Sequence, residues 1–226
     1  SLLHLNGLYD LETRTYLDAV VHKRKMSNEN GALVQMVERL NDETPTIVIA
    51  DRAYEAYNTM AHIERKGWKY LIRMREKGGI LTPFSLPQDG EMDRWMKVVL
   101  TKKWNKQVIQ LAKEHPGMYR FLNANAIFDF LDAQDKVNIF YPMTFRIVRF
   151  RLTEDSWETV ITNLNEEQFP PEELKKLYHR RWGIETSFRQ LKHTVGLKQL
   201  QSKKVEHVIQ EIFARLVMYN FSELIT

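Results

Sequence analysis

The sequence predicts an α/β fold, with a mixed β-sheet flanked by helices and interrupted by a β-rich insertion. Strand and helix patterns alternate over residues 1–77, and the β-branched run at 46–50 is typical of a strand buried on both faces. The pattern then changes at 78–165. We therefore divide the chain into an N-terminal part of the core (1–77), a β-rich insertion (78–165) and C-terminal helices that complete the core (166–226).

The first elements are a hairpin and a helix. Residues 1–22 alternate short apolar stretches around a polar turn that includes Asp10, which indicates a β-hairpin. Residues 27–30 are rich in N-cap types, and the apolar residues that follow recur at helical spacing. This pattern predicts a helix of about three turns.

A strand, a helix and a second strand complete the first part. The run at 46–50 stops at Asp51, and residues 53–66 then predict a helix that Gly67 ends. Residues 69–74 predict the next strand.

Glycine and proline residues after residue 77 mark the start of the insertion. Helix and strand signals compete over 104–138. The predicted elements are a strand at 95–101, a helix at 105–114, and strands at 140–152 and 157–164 joined by a polar turn at 153–156.

Two helices close the sequence. Pro170 and Pro171, followed by acidic residues, begin a long helix that ends at Gly196, because proline tolerates the first turn and acids suit the positive end of the dipole. A second helix is predicted at about 205–224. Its apolar residues would pack alongside the first helix: Val208, Ile209, Ile212, Phe213, Leu216, Val217 and Phe221.

Composition excludes several classes of protein. With 43% hydrophobic and 27% charged residues, the chain is not disordered, and the absence of cysteine excludes thiol catalysis, disulfides and Cys-ligated zinc. It has no apolar run near the roughly 20 residues of a membrane span and no leader pattern. We therefore expect a cytoplasmic protein with no membrane partner.

The positive charge is concentrated in one window. Residues 175–204 hold nine Lys or Arg against one acid, Glu185, so this window carries +8 while the other 196 residues carry −4. A local basic field on an otherwise acidic chain favours a polyanion such as nucleic acid. The alternative is a solvated helix face, which would usually contain Glu as well as Lys.

Four side chains of the predicted long helix fall within one narrow sector at the edge of its apolar stripe: Tyr178, Arg181, Glu185 and Lys192. Glu185 is either a salt-bridged surface residue, which would stabilise the protein by at most about 1 kcal/mol, or a ligand of a divalent metal. In the second case the flanking cations would hold phosphates. The spacing alone leaves both interpretations open.

Asp51 also has two interpretations. It follows the carboxyl end of a buried strand, where ligands bind in open α/β sheets. It could equally cap the helix predicted after it, because Asp is a favoured N-cap. Together with Glu185 it forms a candidate Mg²⁺ site, since Mg²⁺ prefers carboxylate oxygens, waters and substrate phosphates.

These residues carry a specific resemblance. The segment YHRRWGIETSFRQLKHTVG contains Tyr178-x2-Arg181-x3-Glu185-x6-Lys192, which resembles the Y-(2)-R-(3)-E-(6)-K motif of the DDE transposases of bacterial insertion sequences. TIVIADRAY is similar to that family's block around the second catalytic Asp, and ITNL after Trp157 resembles its last strand before the motif helix. The resemblance implies a ribonuclease H-like mixed sheet flanked by helices, with a β-rich insertion.

The family's first catalytic Asp has no counterpart at the expected place. It lies on the first strand of the fold, whereas Asp10 belongs to the hairpin turn and Asp18 to the second hairpin arm. We therefore expect the first strand and its Asp to precede Ser1. On this view the chain is an N-terminally truncated fragment that is inactive alone.

The resemblance implies roles for the other motif residues. Asp51 and Glu185 would be the catalytic metal ligands of a two-metal site for Mg²⁺, with Mn²⁺ as a substitute. Tyr178, Arg181 and Lys192 would contact DNA. The implied activity is cut-and-paste transposition: water nicks the transposon end, and the freed 3′ hydroxyl then attacks target DNA.

Three further residues are candidates for DNA binding. Trp157 is either a core residue or a platform on which a displaced base stacks. Trp182 and Arg189 are placed on the DNA face, with packing or solvation as the alternative.

The partners implied are the double-stranded DNA of transposon ends and target DNA, with a homodimer in the active complex. The setting is the bacterial cytoplasm, with nucleoid association when bound. Two alternatives stay open: an inactive or domesticated DNA-binding protein of ribonuclease H-like fold, and another ribonuclease H-like nuclease such as a resolvase.

Overall fold

A computed structural model describes residues 3–23, 25, 28–41, 44–75, 79–80, 90–154, 156–197, 200–202 and 204–225. These residues form two compact units. The first comprises Ser1–Leu40 and Lys176–Thr226, and the second comprises Asn41–Lys175.

The first unit begins with the predicted hairpin. Strands β1 (Leu3–Asp10) and β2 (Thr15–Lys23) pair antiparallel in a two-stranded sheet. Asp10 forms the turn as a polar turn residue should, because its carboxylate accepts hydrogen bonds from the Glu12 backbone N–H and the Thr13 hydroxyl. The predicted helix follows as α1 (Glu29–Arg39), with Asn28 as its N-cap.

Helices α5 (Trp182–His193) and α6 (Val205–Leu224) share a buried core with β2 in this unit. The Tyr16 hydroxyl lies 2.6 Å from the Ser187 hydroxyl, and the Asn220 side chain bonds the Tyr16 backbone through both N–H and C=O. The α6 boundaries confirm the predicted helix. The packing prediction was correct only in part, because Ile212 and Leu216 are buried whereas three other predicted packing residues are exposed: Phe213, Val217 and Phe221.

The predicted single long helix is wrong. Residues 171–193 form two helices, α4 (Pro171–His179) and α5, with a break at residues 180–181. Short-range i→i−3 bonds fill the break, including Arg181 N–H to Tyr178 C=O and Gly183 N–H to Arg180 C=O. Gly183, a poor helix former, is the second residue of α5, directly after the break.

The second unit contains a six-stranded mixed sheet, in which the order is β3-β4-β8-β7-β5-β6. Two pairs are parallel, β3 with β4 and β5 with β6, and the other neighbours are antiparallel. The strands are β3 (Ile47–Ala50), β4 (Lys69–Arg73), β5 (Met92–Thr101), β6 (Tyr119–Phe121), β7 (Tyr141–Thr153) and β8 (Ser156–Thr162). Central residues such as Leu71, Ile147 and Ile161 are buried.

Helices flank this sheet, and one begins later than predicted. Instead of one helix over 53–66, a short 3₁₀ turn (Arg52–Tyr54) precedes α2 (Tyr57–Arg65), because Asp51 caps the turn and Ala56 is extended. Gly67 ends α2 as predicted, with φ +78°. In the insertion, α3 (Lys106–Glu114) begins after its cap Asn105.

The predicted insertion contains four strands, β5, β6, β7 and β8, and all of them belong to the same sheet as β3 and β4. The boundaries 1–77, 78–165 and 166–226 stay a prediction. None of the helices in the described ranges is long and apolar enough to cross a membrane.

Candidate functional site

Asp51 lies directly after β3, at the edge where the parallel strands β3 and β4 both end. Its Oδ1 accepts a hydrogen bond from the Ala53 backbone N–H at 2.8 Å and so caps the 3₁₀ turn. The side chain is half-buried. A carboxylate has about four lone-pair sites, so the capping bond leaves capacity for a metal ion.

Glu185 lies in the first turn of α5, where the positive end of the helix dipole favours an acid. Its Oε1 accepts a hydrogen bond from Arg181 Nη1 at 2.6 Å, and 40% of its side chain is exposed. The geometry is that of a partly solvated i,i+4 ion pair. Such a pair is weak enough to exchange partners.

Arg181 is held on two aromatic rings. Its guanidinium carbon lies 5.5 Å from the Tyr178 ring centroid and 5.3 Å from the Trp182 centroid, both within cation–π range. Tyr178 is buried, whereas 53% of Trp182 is exposed. The structure therefore brings Tyr178, Arg181, Trp182 and Glu185 into one cluster although a helix break separates Tyr178 from the rest.

Two basic side chains continue this surface along α5. Arg189 and Lys192 are exposed and lie about one and two turns beyond Glu185, which places all three on one side of the helix. Lys192 is in the last turn of α5. The helix thus presents one acid and a row of cations to solvent.

Trp157, near the start of β8, is half-buried rather than a core residue. Two guanidinium groups of the neighbouring strand β7 lie against its ring, Arg149 at 5.4 Å and Arg151 at 6.0 Å from the centroid. This places an aromatic face within a local concentration of positive charge.

The predicted residues divide between the two units. Asp51 and Trp157 belong to Asn41–Lys175, and the motif residues from Tyr178 to Lys192 belong to the other unit. Among the described residues, no group of three or more His, Cys, Asp or Glu side chains is arranged to hold a metal. Asp51 and Glu185 each carry a carboxylate, the type of ligand that Mg²⁺ binds together with water and phosphate.

Sequence reasoning missed Glu55. Its side chain is buried, and its two carboxylate oxygens accept hydrogen bonds from the backbone N–H groups of Arg75 and Ile80, at 2.7 and 2.6 Å. Burial raises its pKa, although the two backbone donors oppose that shift. An acid only four residues after Asp51 was the available signal.

The family comparison agrees with these features. The model of a family described as the transposase DDE domain matches residues 1–221. The chain belongs to this family. No protein of curated function matches the chain.

Membership of the transposase DDE domain family establishes the general activity. These proteins are nucleic-acid-cleaving enzymes that act on DNA in transposition and recombination, and they generally use divalent metal ions. The six-stranded mixed sheet flanked by helices fits the ribonuclease H-like fold that the resemblance implied.

Proposed function

We propose that this transposase domain hydrolyses phosphodiester bonds at transposon ends and transfers the resulting strand ends to target DNA. The observation that carries the proposal is the Tyr178, Arg181, Glu185 and Lys192 spacing, together with the partly exposed ion pair of Glu185 and Arg181. Glu185 and Asp51 would be the metal-binding catalytic residues. Mg²⁺ is the proposed ion, with Mn²⁺ as a substitute.

The chain's own residues would bind and orient the DNA. Hydrolysis breaks the P–O bond to the 3′ oxygen at the transposon end, leaving a 3′ hydroxyl on the transposon and a 5′ phosphate on the flanking DNA. The 3′ hydroxyl then attacks a target phosphorus, and the P–O bond to the target strand's 3′ oxygen breaks. A pair of divalent ions supplies charge neutralisation at the phosphate and activation of the attacking oxygen when bound. Arg181, already held on Tyr178 and Trp182, would contact a phosphate once Glu185 turns to the metal.

Other contacts would fix the position of the duplex. Arg189 and Lys192 are exposed on the same side of α5 as Glu185 and suit contacts with phosphates. The Arg189 guanidinium could form two parallel hydrogen bonds to one phosphate, and the Lys192 ammonium would act as a point charge. Trp182 offers an exposed ring for stacking. We also propose that the active complex is a homodimer acting on nucleoid DNA, because two transposon ends have to be processed together.

Cleavage of the polypeptide backbone by bound iron tests the proposed metal ligands without requiring the protein to cleave DNA. The full chain, incubated with a DNA duplex, Fe²⁺ and ascorbate, should be cut near residues 51 and 185, and excess Mg²⁺ should suppress both cuts. Asp51→Asn and Glu185→Gln should each reduce cutting at least severalfold. Glu206→Gln is the matched control, because Glu206 also lies in the first turn of a helix in the same unit as Glu185.

Cuts elsewhere, or cuts that Mg²⁺ does not suppress, would contradict the ligand assignment. The proposed DNA cleavage is tested separately. If the full-length protein shows no Mg²⁺- or Mn²⁺-dependent cleavage of its own element's ends, the proposal of an active transposase fails in favour of a DNA-binding protein.

Trp157 is proposed to stack on a base displaced from the DNA end. Its support is the half-buried ring flanked by Arg149 and Arg151. Trp157→Ala should weaken binding to DNA with an unpaired end base more than binding to plain duplex, as measured by fluorescence anisotropy. An equal loss for both DNAs would contradict this role.

A further inference from the structure

Glu55 connects the segments that follow β3 and β4, which both leave the sheet at the same edge. It follows the 3₁₀ turn that Asp51 caps, and its carboxylate bonds the backbone N–H groups of Arg75 and Ile80, in the segment after β4. Because β3 and β4 are parallel, both segments leave the sheet on the side where Asp51 lies. Glu55 is therefore a bridge between the Asp51 turn and the next loop.

The fit around this carboxylate is close. A Cβ at Gly79 would lie 2.3 Å from Glu55 Oε1, closer than Cβ contacts essentially ever come, so a larger residue at position 79 would force the carboxylate to move. Both oxygens are used by backbone donors, which fixes the carboxylate in one orientation. A buried acid held in this way orders the backbone on which Arg75 stands.

Arg75 is exposed and faces the Asp51 turn. Its Nε donates to the Arg52 carbonyl oxygen at 3.2 Å, which orients the guanidinium toward the residue next to Asp51. A guanidinium carries five N–H donors, so one carbonyl contact leaves capacity for a fork contact to a phosphate. By contrast, Arg73, the last residue of β4, is paired with Glu158 at 2.8 Å.

We propose that Arg75 binds a DNA phosphate beside Asp51 and that Glu55 is the positioning residue that holds it there. The proposal rests on the proposed function, because the phosphate is that of the DNA to be cleaved. Glu55 itself touches no DNA. It acts by holding residues 75 and 80 against the turn that carries Asp51.

The sign of one mutational effect separates positioning from simple electrostatics. Removing an acid from a DNA-binding surface should strengthen DNA binding if charge alone matters. If Glu55 positions Arg75, removing it should weaken binding instead. The two explanations thus predict opposite changes for the same substitution.

The experiment measures binding of the full chain to a fluorescent mixed-sequence duplex over a range of KCl concentrations. Arg75→Ala should weaken binding about tenfold and make the slope of log affinity against log salt shallower by about 0.9, the value for one phosphate contact. Glu55→Ala should weaken binding by a similar factor with the same change in slope. The double variant should be no weaker than Arg75→Ala alone.

Glu64→Ala is the matched control. Glu64 is also an acid whose pKa burial raises, it lies on α2 of the same unit, and it accepts a hydrogen bond from the Tyr70 hydroxyl rather than from the loop. It should leave the salt slope unchanged. If Glu55→Ala does not fold, Gly79→Ala replaces it. We expect the same weakening of DNA binding and the same change in salt slope, because the alanine Cβ would displace the Glu55 carboxylate.

The outcomes are distinguishable. Equal or tighter binding by Glu55→Ala, or unchanged binding by Arg75→Ala, would overturn this inference while the proposed function stands. A wild-type chain that does not bind duplex DNA at low salt would overturn both. Additive losses of DNA-binding affinity in the double variant would show that Glu55 acts independently of Arg75. That result would also overturn the inference.

Discussion

Two arginine–carboxylate pairs, one in each unit, differ in how deeply they are buried: Arg146 and Asp93 are 0% and 30% exposed, whereas Arg181 and Glu185 are 13% and 40% exposed. In Asn41–Lys175, the fully buried Arg146 donates from Nε to Asp93 at 2.6 Å, again to Asp93 from Nη2, and from Nη1 to the Phe169 carbonyl at 2.7 Å. In the other unit, Arg181 reaches Glu185 through Nη1, and 40% of the glutamate side chain is exposed.

Burial decides what each pair can do. If Arg146 lost Asp93, a charge would be left in the interior without compensation, so this pair has to stay closed. Arg181 and Glu185 are 13% and 40% exposed, so both partners keep some contact with water, and exchanging Arg181 for water or a metal ion costs less than opening the Arg146 pair. The same two functional groups therefore hold the sheet together in one unit and present an available carboxylate in the other.

Breaking the ion pair of Arg146 and Asp93 should have the largest effect on the free energy of unfolding. Asp93→Ala should lower the free energy of unfolding by about 3 kcal/mol, because Arg146 stays buried and loses its counter-charge. Urea unfolding of the full chain, followed by tryptophan fluorescence, measures this loss.

The control removes both charges. Arg146→Met combined with Asp93→Leu should recover most of the stability, since no unpaired charge is left in the interior. A loss below about 1 kcal/mol for Asp93→Ala would mean that water reaches Arg146 and that the contrast between the two pairs is smaller than its burial implies.

Asp129 is an intermediate case within the sheet-containing unit. Its Oδ2 accepts a hydrogen bond from Asn58 Nδ2 at 2.8 Å and lies 2.8 Å from His62 Nε2, and these two bonds lower its pKa. Because the folded pKa is lower than the unfolded value of about 3.9, this stabilisation is present above that pH and is lost as pH falls through the folded pKa.

Because 52% of the Asp129 side chain is exposed and solvent screens its contacts, Asp129→Asn should cost at most about 1 kcal/mol at pH 5, and the difference from wild type should shrink as the pH falls below about 4. Unfolding free energies across that range, measured on both proteins, provide the test. A difference that stays constant or grows on acidification would show that the ionised carboxylate of Asp129 is not the stabilising form.

Most elements were predictable because their signals lie close together in the sequence. Asn28 and Asn105 accept the capping bonds of α1 and α3, and Gly67 adopts the positive φ that ends α2. The ion pair of Arg181 and Glu185 was one of the two interpretations that the motif spacing left open, because residues four apart are neighbours on a helix.

Some failures involve residues far apart in the sequence, and one has a local cause. The break at residues 180–181 precedes Gly183, where an added Cβ would meet the side chain of Leu11, which is far away in the sequence. The late start of α2 accompanies the turn capped by Asp51, and the bond from Ile80 N–H to Glu55 has no local signal. Spacing within one helix could not show that Tyr178 would be buried beneath Arg181 after such a break.

The ion pair of Arg181 and Glu185 should contribute little to the free energy of unfolding. Glu185→Gln should change the free energy of unfolding by about 0.5 kcal/mol, and less at high salt, because the ion pair is partly solvated. Glu211→Gln is the matched control, since Glu211 forms an i,i+4 pair with Arg215 in the same unit. Only Glu185→Gln should also reduce Mg²⁺-suppressible cleavage by Fe²⁺. A loss of 2 kcal/mol or more would make Glu185 a structural residue.

The smallest expected effect concerns Lys192, at the far end of the same surface. Lys192→Ala should weaken duplex binding about twofold and make the salt slope shallower by about 0.9, because one exposed point charge near a phosphate is lost. Lys113→Ala is the control, since Lys113 is an exposed cation in the last turn of α3. Equal weakening across several duplex sequences would indicate a phosphate contact, whereas a loss confined to one sequence would place Lys192 at a base edge.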